Sequence, residues 1–188
     1  MPQFLALVLT VLAAGGAYLH FTASPAGNAT FPPAGALRFP EVSGEALDRT
    51  THRLPGTFGG EVNLVFIAFR QWHQELVNTW LPLAQELESE MPGLRYYELP
   101  TISERGPFQR SFIDNGMRAG IPDPGARAAT ITLYTDVERF VEALDLAGTD
   151  TIHALLVDRE GNVSWRASGA LDAEAERGLR AALAERGN

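Results

Sequence analysis

The stretch from Gly59 to Pro82 constrains this chain more than any other. After the Gly59-Gly60 turn, Val62 to Phe69 forms an apolar, β-branched run, the pattern of a strand buried on both faces of a parallel or mixed sheet. Beyond it Leu76, Trp80, Leu83 and Leu87 recur at spacings of four, three and four, which puts them on one helix face, while Gln74, Asn78, Gln85 and Glu88 fall elsewhere. A buried strand feeding a helix is the first half of an α/β unit. Its connecting turn, Arg70-Gln71-Trp72-His73, lies at the carboxyl end of the strand, where such folds place their chemistry.

Around this unit the chain has room for one core. Of its 188 residues about 155 lie beyond the N-terminal segment, enough to bury ~70% of the surface of the unfolded chain. The net charge is -8 and the fifteen basic residues are all arginines, scattered singly, so there is no basic stripe and no nucleic-acid partner is expected. The absence of cysteine excludes thiol catalysis, disulfides and thiolate metal sites. No cofactor is expected either.

The first residues address the chain rather than fold it. Phe4 to Phe21 carries no formal charge over eighteen residues and leads into an Ala/Gly/Ser/Pro-rich spacer. Residues 1–24 therefore read as a signal peptide, with cleavage after Gly15-Gly16-Ala17, or as a membrane anchor barely long enough to span. The spacer is 25–36 and the folded domain 37–188. An extracytoplasmic location, periplasmic or secreted, follows from either reading.

Along the domain, Phe39–Val42 and Thr50–Pro55 read as short strands around a polar turn at Ser43-Gly44-Glu45. Pro82 is expected to kink the central helix, which Met91-Pro92-Gly93 ends. A second core strand covers Leu94–Leu99, a short amphipathic helix Phe108–Ile121, and a loop Pro122–Gly125. Ala129–Tyr134 is a strand and Val137–Leu146 a helix with Phe140, Val141 and Leu144 inward. Thr151–Asp158 and Val163–Ser168 form a hairpin, and Asp172–Glu185 is a last helix. The fold class is α/β, a central mixed sheet flanked by helices on both faces.

Two of these features together resemble a known family. Trp72-His73-Gln74-Glu75-Leu76 at the start of a helix with an internal Pro82, followed by Leu155-Leu156-Val157-Asp158-Arg159-Glu160-Gly161-Asn162-Val163, is similar to the thioredoxin-like fold. The nearest active patterns are those of the membrane-tethered bacterial thiol-disulfide oxidoreductases and the peroxiredoxins. In the former the turn reads W-C-x-x-C and a cis-proline opens the late strand. Trp72 matches; His73 and Leu76 fall where the cysteines stand, and Ile152 where the cis-proline stands. Phe69-Arg70-Gln71-Trp72 and the hairpin from Leu156 to Gly169 resemble the mitochondrial ATP synthase assembly factor of thioredoxin-like fold. The resemblance covers Phe39 to about Leu183 and implies a scaffold kept without its redox site.

The candidate partner-binding face is then Arg70, Gln71, Trp72, His73, Gln74, Glu75 and Leu76 with Ile152 and His153. Trp72 and Trp80 read as packing residues at the strand–helix junction. Arg70 either clamps an anionic group at the helix start or pairs with Glu61 or Glu75. His73 reads as a capping or surface polar residue. His153 falls opposite Ile152, Ala154 and Leu156, as a hydrogen-bonded core histidine does, although the fold it resembles would bring it near His73. The function expected is a redox-inactive, exported, tethered domain that holds a protein partner, such as a subunit of a membrane complex. The alternative is a cysteine-independent enzyme or a metal- or cofactor-binding protein using Arg70, His73 and His153. No catalytic residue and no metal ligand set is assigned.

Overall fold

The computed structural model describes residues 37–186, so the signal or anchor and the spacer lie outside the described residues. Its elements are β1 (Val42–Ala46), β2 (Thr51–Leu54), β3 (Val62–Ala68), α1 (His73–Glu90), β4 (Leu94–Ser103), α2 (Pro107–Gly120), α3 (Pro124–Ala129), β5 (Ile131–Thr135), α4 (Val137–Ala143), β6 (His153–Asp158), β7 (Val163–Ser168) and α5 (Ala173–Arg186). One seven-stranded sheet runs β2-β1-β5-β4-β3-β6-β7. β3, β4 and β5 are parallel, and the flanking pairs β1–β5, β1–β2, β3–β6 and β6–β7 are antiparallel.

Alternation along the central strands divides the core in two. Leu64, Phe66, Ala154 and Leu156 point to the face covered by Val77, Trp80, Leu83 and Leu87 of α1 and by Leu179 and Leu183 of α5. Val65, Ile67, Leu155 and Val157 point the other way, to Phe140 and Leu144 at α4 and to Ile131 and Leu133 of β5. Helices therefore cover both faces, as the sequence pattern implies, and α1 continues through Pro82 to Glu90.

The run at β3 is not wholly apolar. Asn63 is buried and knits the loop before the strand to β6: its Oδ1 accepts from Gly60 N at 2.9 Å, and its Nδ2 donates to the carbonyls of Gly60 at 3.1 Å and Val157 at 3.2 Å. A Cβ at Gly60 would meet Val62 O at 2.5 Å and Arg95 N at 2.9 Å, so the turn needs glycine for close approach. Arg159, in the β6–β7 turn, donates to Gly60 O at 3.1 Å and Gly59 O at 2.8 Å. The entering chain is fastened to the same turn: Phe39 N donates to Gly161 O at 2.7 Å, Val163 N to Leu37 O at 3.3 Å, and Arg38 to Glu160 O at 2.6 Å.

Two segments differ from the sequence pattern. Ser43, Gly44 and Glu45 belong to β1 rather than to a turn, paired with β2 on one side and β5 on the other; the turn is at residues 47–50. Gly44 is there because the sheet is tight: a Cβ would sit 2.7 Å from side-chain carbons of both Ile131 and Leu133. Pro124–Ala129 is a helix, capped by Asp123 Oδ1 accepting from Ala126 N at 2.7 Å, so Ala129 closes α3 instead of opening β5.

Candidate functional site

The turn between β3 and α1 and the start of β6 meet because Ile67 pairs with His153. That register brings Arg70, Trp72, His73, Ile152 and His153 to one end of the sheet. Trp72 precedes the first helical residue and is 51% exposed, its indole edge-on to the His73 ring with centroids 4.3 Å apart. Arg70 Nη2 reaches Asp150 Oδ1 at 2.8 Å across the loop before β6, an exposed pair that contributes at most about 1 kcal/mol. Gln71 and Glu75 are exposed, and Leu76 packs half-buried against the α1 core.

Both histidines are buried, His73 completely. His73 Nδ1 accepts from Phe69 N at 3.2 Å, which folds the turn back on itself. Its Nε2 then carries the proton in the neutral ring and has no hydrogen-bond partner among the described residues. His153 uses both nitrogens: Nε2 donates to Gly148 O at 2.9 Å, so Nδ1 is left to accept from Ser168 Oγ at 2.9 Å. The Phe69 ring stands edge-on to both, at 6.5 Å from His73 and 6.1 Å from His153. Neither ring faces solvent as a general base, and among the described residues no three His, Asp or Glu side chains converge as a metal site.

The sequence matches the ATP10 protein family over residues 21–184.

The chain belongs to the ATP10 protein family.

No curated protein sequence matches it. Among solved structures, BsSco, of the Sco family of cytochrome c oxidase assembly proteins, is similar at 14% identity and a TM-score of 0.53, over 80% of this chain and 95% of that one. An electron transport protein from Aquifex aeolicus VF5 is similar at 11% identity and 0.54, over 85% and 98%. A thiol:disulfide interchange protein from Bacteroides sp. follows at 18% and 0.47, over 71% and 80%. The fold of this ATP10-family chain is thioredoxin-like.

Three expectations for the site are corrected. Trp72 is not a core residue: half-exposed, it stands ahead of the helix, outside the stripe that carries Trp80 inward, and meets the His73 ring edge-on. His73 is neither a cap nor a surface group; the Phe69 amide and the Phe69 ring draw it inside. Arg70 pairs with neither Glu61 nor Glu75 but with Asp150, eighty residues on. His153 is the hydrogen-bonded core histidine that alternation predicts, and it also lies close enough to His73 for their charges to interact.

Glu98 of β4 has no place in the sequence reading, yet it is buried beside this face and accepts from Gln74 Nε2 at 2.8 Å. Gln74 also donates to Asn78 at 3.1 Å. The signal for it was the alternation Leu94, Tyr96, Glu98, which places Glu98 on the face that α1 covers.

These groups give the ATP10-family chain a testable pH dependence. Burial is the largest cause lowering the pKa of His52, His73 and His153; Arg70 and then His153 add to it at His73. The unfolded chain therefore binds more protons once the pH falls below about 6.5, and stability falls from there toward the lowered folded-state values, where the loss levels off. Glu98 acts in the opposite sense, because burial raises its pKa and its ionised form costs stability at neutral pH. In thermal melts between pH 4 and 7.5, Glu98→Gln is expected to melt higher at neutral pH and to lose stability more steeply on acidification. An unchanged slope would remove Glu98 from this balance.

Proposed function

We propose that this ATP10-family chain is a redox-inactive assembly factor, exported and tethered to a membrane by residues 1–24, that holds a subunit of a membrane complex at the face carrying Trp72. Membership of the family supports the assembly role, and the lack of cysteine supports the loss of redox chemistry. The observation that carries the choice of face is Trp72 itself. An indole left half in water at the end of the sheet, in a chain that buries Trp80 fully, has the character of an interface anchor. Arg70 and Gln71 give it an exposed polar rim. The catalytic alternative loses ground, since His73 is sealed in and His153 is fully hydrogen-bonded.

Crosslinking in membranes that contain the full chain tests this. Trp72→Ala removes an exposed side chain, so the domain stays folded, and recovery of one membrane-complex subunit is expected to drop about thirtyfold, the ~2 kcal/mol of an aromatic hot spot. Deleting residues 1–24 is expected to move the domain out of the membrane fraction. Undiminished recovery with Trp72→Ala places the partner surface elsewhere, and membrane retention of the deletion form overturns the tether.

A further inference from the structure

Away from the Trp72 turn, a cleft of about 510 Å³ opens between the β1–β2 hairpin, β5 and α2. Its volume is that of a small-molecule site, about 300–1,000 Å³, and none of residues 70–76 lines it. Its hydrogen-bonding capacity is unbalanced. Arg118 spends Nε on Leu47 O at 2.6 Å and Nη1 on Asn115 at 2.7 Å, leaving Nη2 uncommitted among the described residues. Arg110 spends Nε on Arg105 O at 2.8 Å and Nη2 on Glu104 at 2.9 Å, leaving Nη1 without a partner among the described residues, while its guanidinium lies 4.8 Å from the centre of the Tyr134 ring. The Arg49 side chain, at the hairpin turn, has no hydrogen bond or ion pair among the described residues, while its backbone N–H donates to Ala46 O at 2.8 Å. Thr132, 1% exposed on the cleft's wall, has a buried hydroxyl with no partner among the described residues.

The acceptors are fewer. Asp114 takes the Tyr134 hydroxyl at 3.0 Å, and burial followed by Asp114 keeps that phenol protonated. Glu45 is the remaining carboxylate. Three arginines with N–H donors unspent among the described residues thus line a cleft whose two carboxylates include one already committed. We propose that this cleft binds a small organic anion, gripped through a carboxylate or phosphate group by Arg49, Arg110 and Arg118. An oxyanion supplies the acceptors that the guanidinium forks lack, and charge-assisted hydrogen bonds of this kind are the strong ones. Glu45 sits beside the anion and weakens its binding.

Titration calorimetry of the full chain with citrate, and separately with inorganic phosphate, tests the proposal. Saturable binding of one of them is expected, and the tighter of the two identifies the recognised group. Arg49→Asn is expected to weaken it about tenfold, the loss of one charge-assisted contact; asparagine suits the φ of 78° at that position, so the hairpin persists. Glu45→Gln is expected to tighten it severalfold, and Trp72→Ala to leave it unchanged. No heat from either anion at about ten millimolar, or binding indifferent to Arg49→Asn, overturns the proposal. Weakening by Glu45→Gln also overturns it, because the ligand then carries a cation toward Glu45.

Discussion

Trp80→Ala is expected to destabilise the domain by about 3–5 kcal/mol, the range for a fully buried large aromatic. Trp80 is 0% exposed and stands where three elements meet. Its ring packs on Phe66 of β3 with centroids at 5.8 Å and edge-on to Trp165 of β7 at 6.1 Å, and Nε1 donates to Gly169 O at 2.9 Å, in the link to α5. Truncation removes the packing and orphans that carbonyl together. Trp80→Phe separates the two: it keeps most of the apolar bulk and should cost about 1–2 kcal/mol from the lost hydrogen bond and imperfect fill. Urea unfolding with two probes reads both. An alanine variant within about 1 kcal/mol of wild type would mean that α1 does not lie on β3 and β7 in this way.

Asn63→Leu is nearly isosteric, yet it is expected to cost about 2–4 kcal/mol. Leucine can neither accept from Gly60 N nor donate to the Gly60 and Val157 carbonyls, and a buried amide left unpaired costs about 1–3 kcal/mol. The Gly60 carbonyl keeps its bond from Arg159, so the Gly60 amide dominates the loss. Limited proteolysis should place new cleavage at residues 59–61 as the unfolding midpoint falls. A neutral result would show that Arg159 alone holds the loop.

Much of this architecture was legible in the chain. The strand–helix unit at β3 and α1 and the hairpin β6–β7 were readable because both hydrophobic periods are strong there and Gly161 marks the turn, with φ of 86°. What escaped depends on partners distant in sequence. Gly44 looks like a turn glycine until Ile131 and Leu133 are seen against it. Trp72 and Trp80 carry the same side chain, and only the helix start, one residue beyond Trp72, puts the first outside and the second inside. His73 looked like a surface group because no sequence rule says that the Phe69 amide needs an acceptor there. The cleft beneath α2 draws its arginines from a hairpin turn and a helix some sixty residues apart, with no motif to join them.

The fastening of residues 37–39 to the β6–β7 turn fixes more than the start of the fold. That turn lies beside Val62, at the amino end of β3, whereas Trp72 follows the carboxyl end. The strand between is seven residues, about 20 Å of extended chain. A pull applied through the N-terminal segment and resisted by a partner at Trp72 would run lengthwise down the sheet, loading the hydrogen bonds between strands in shear, all together rather than one after another. With the proposed tether and partner in place, the domain would work as a strut between them.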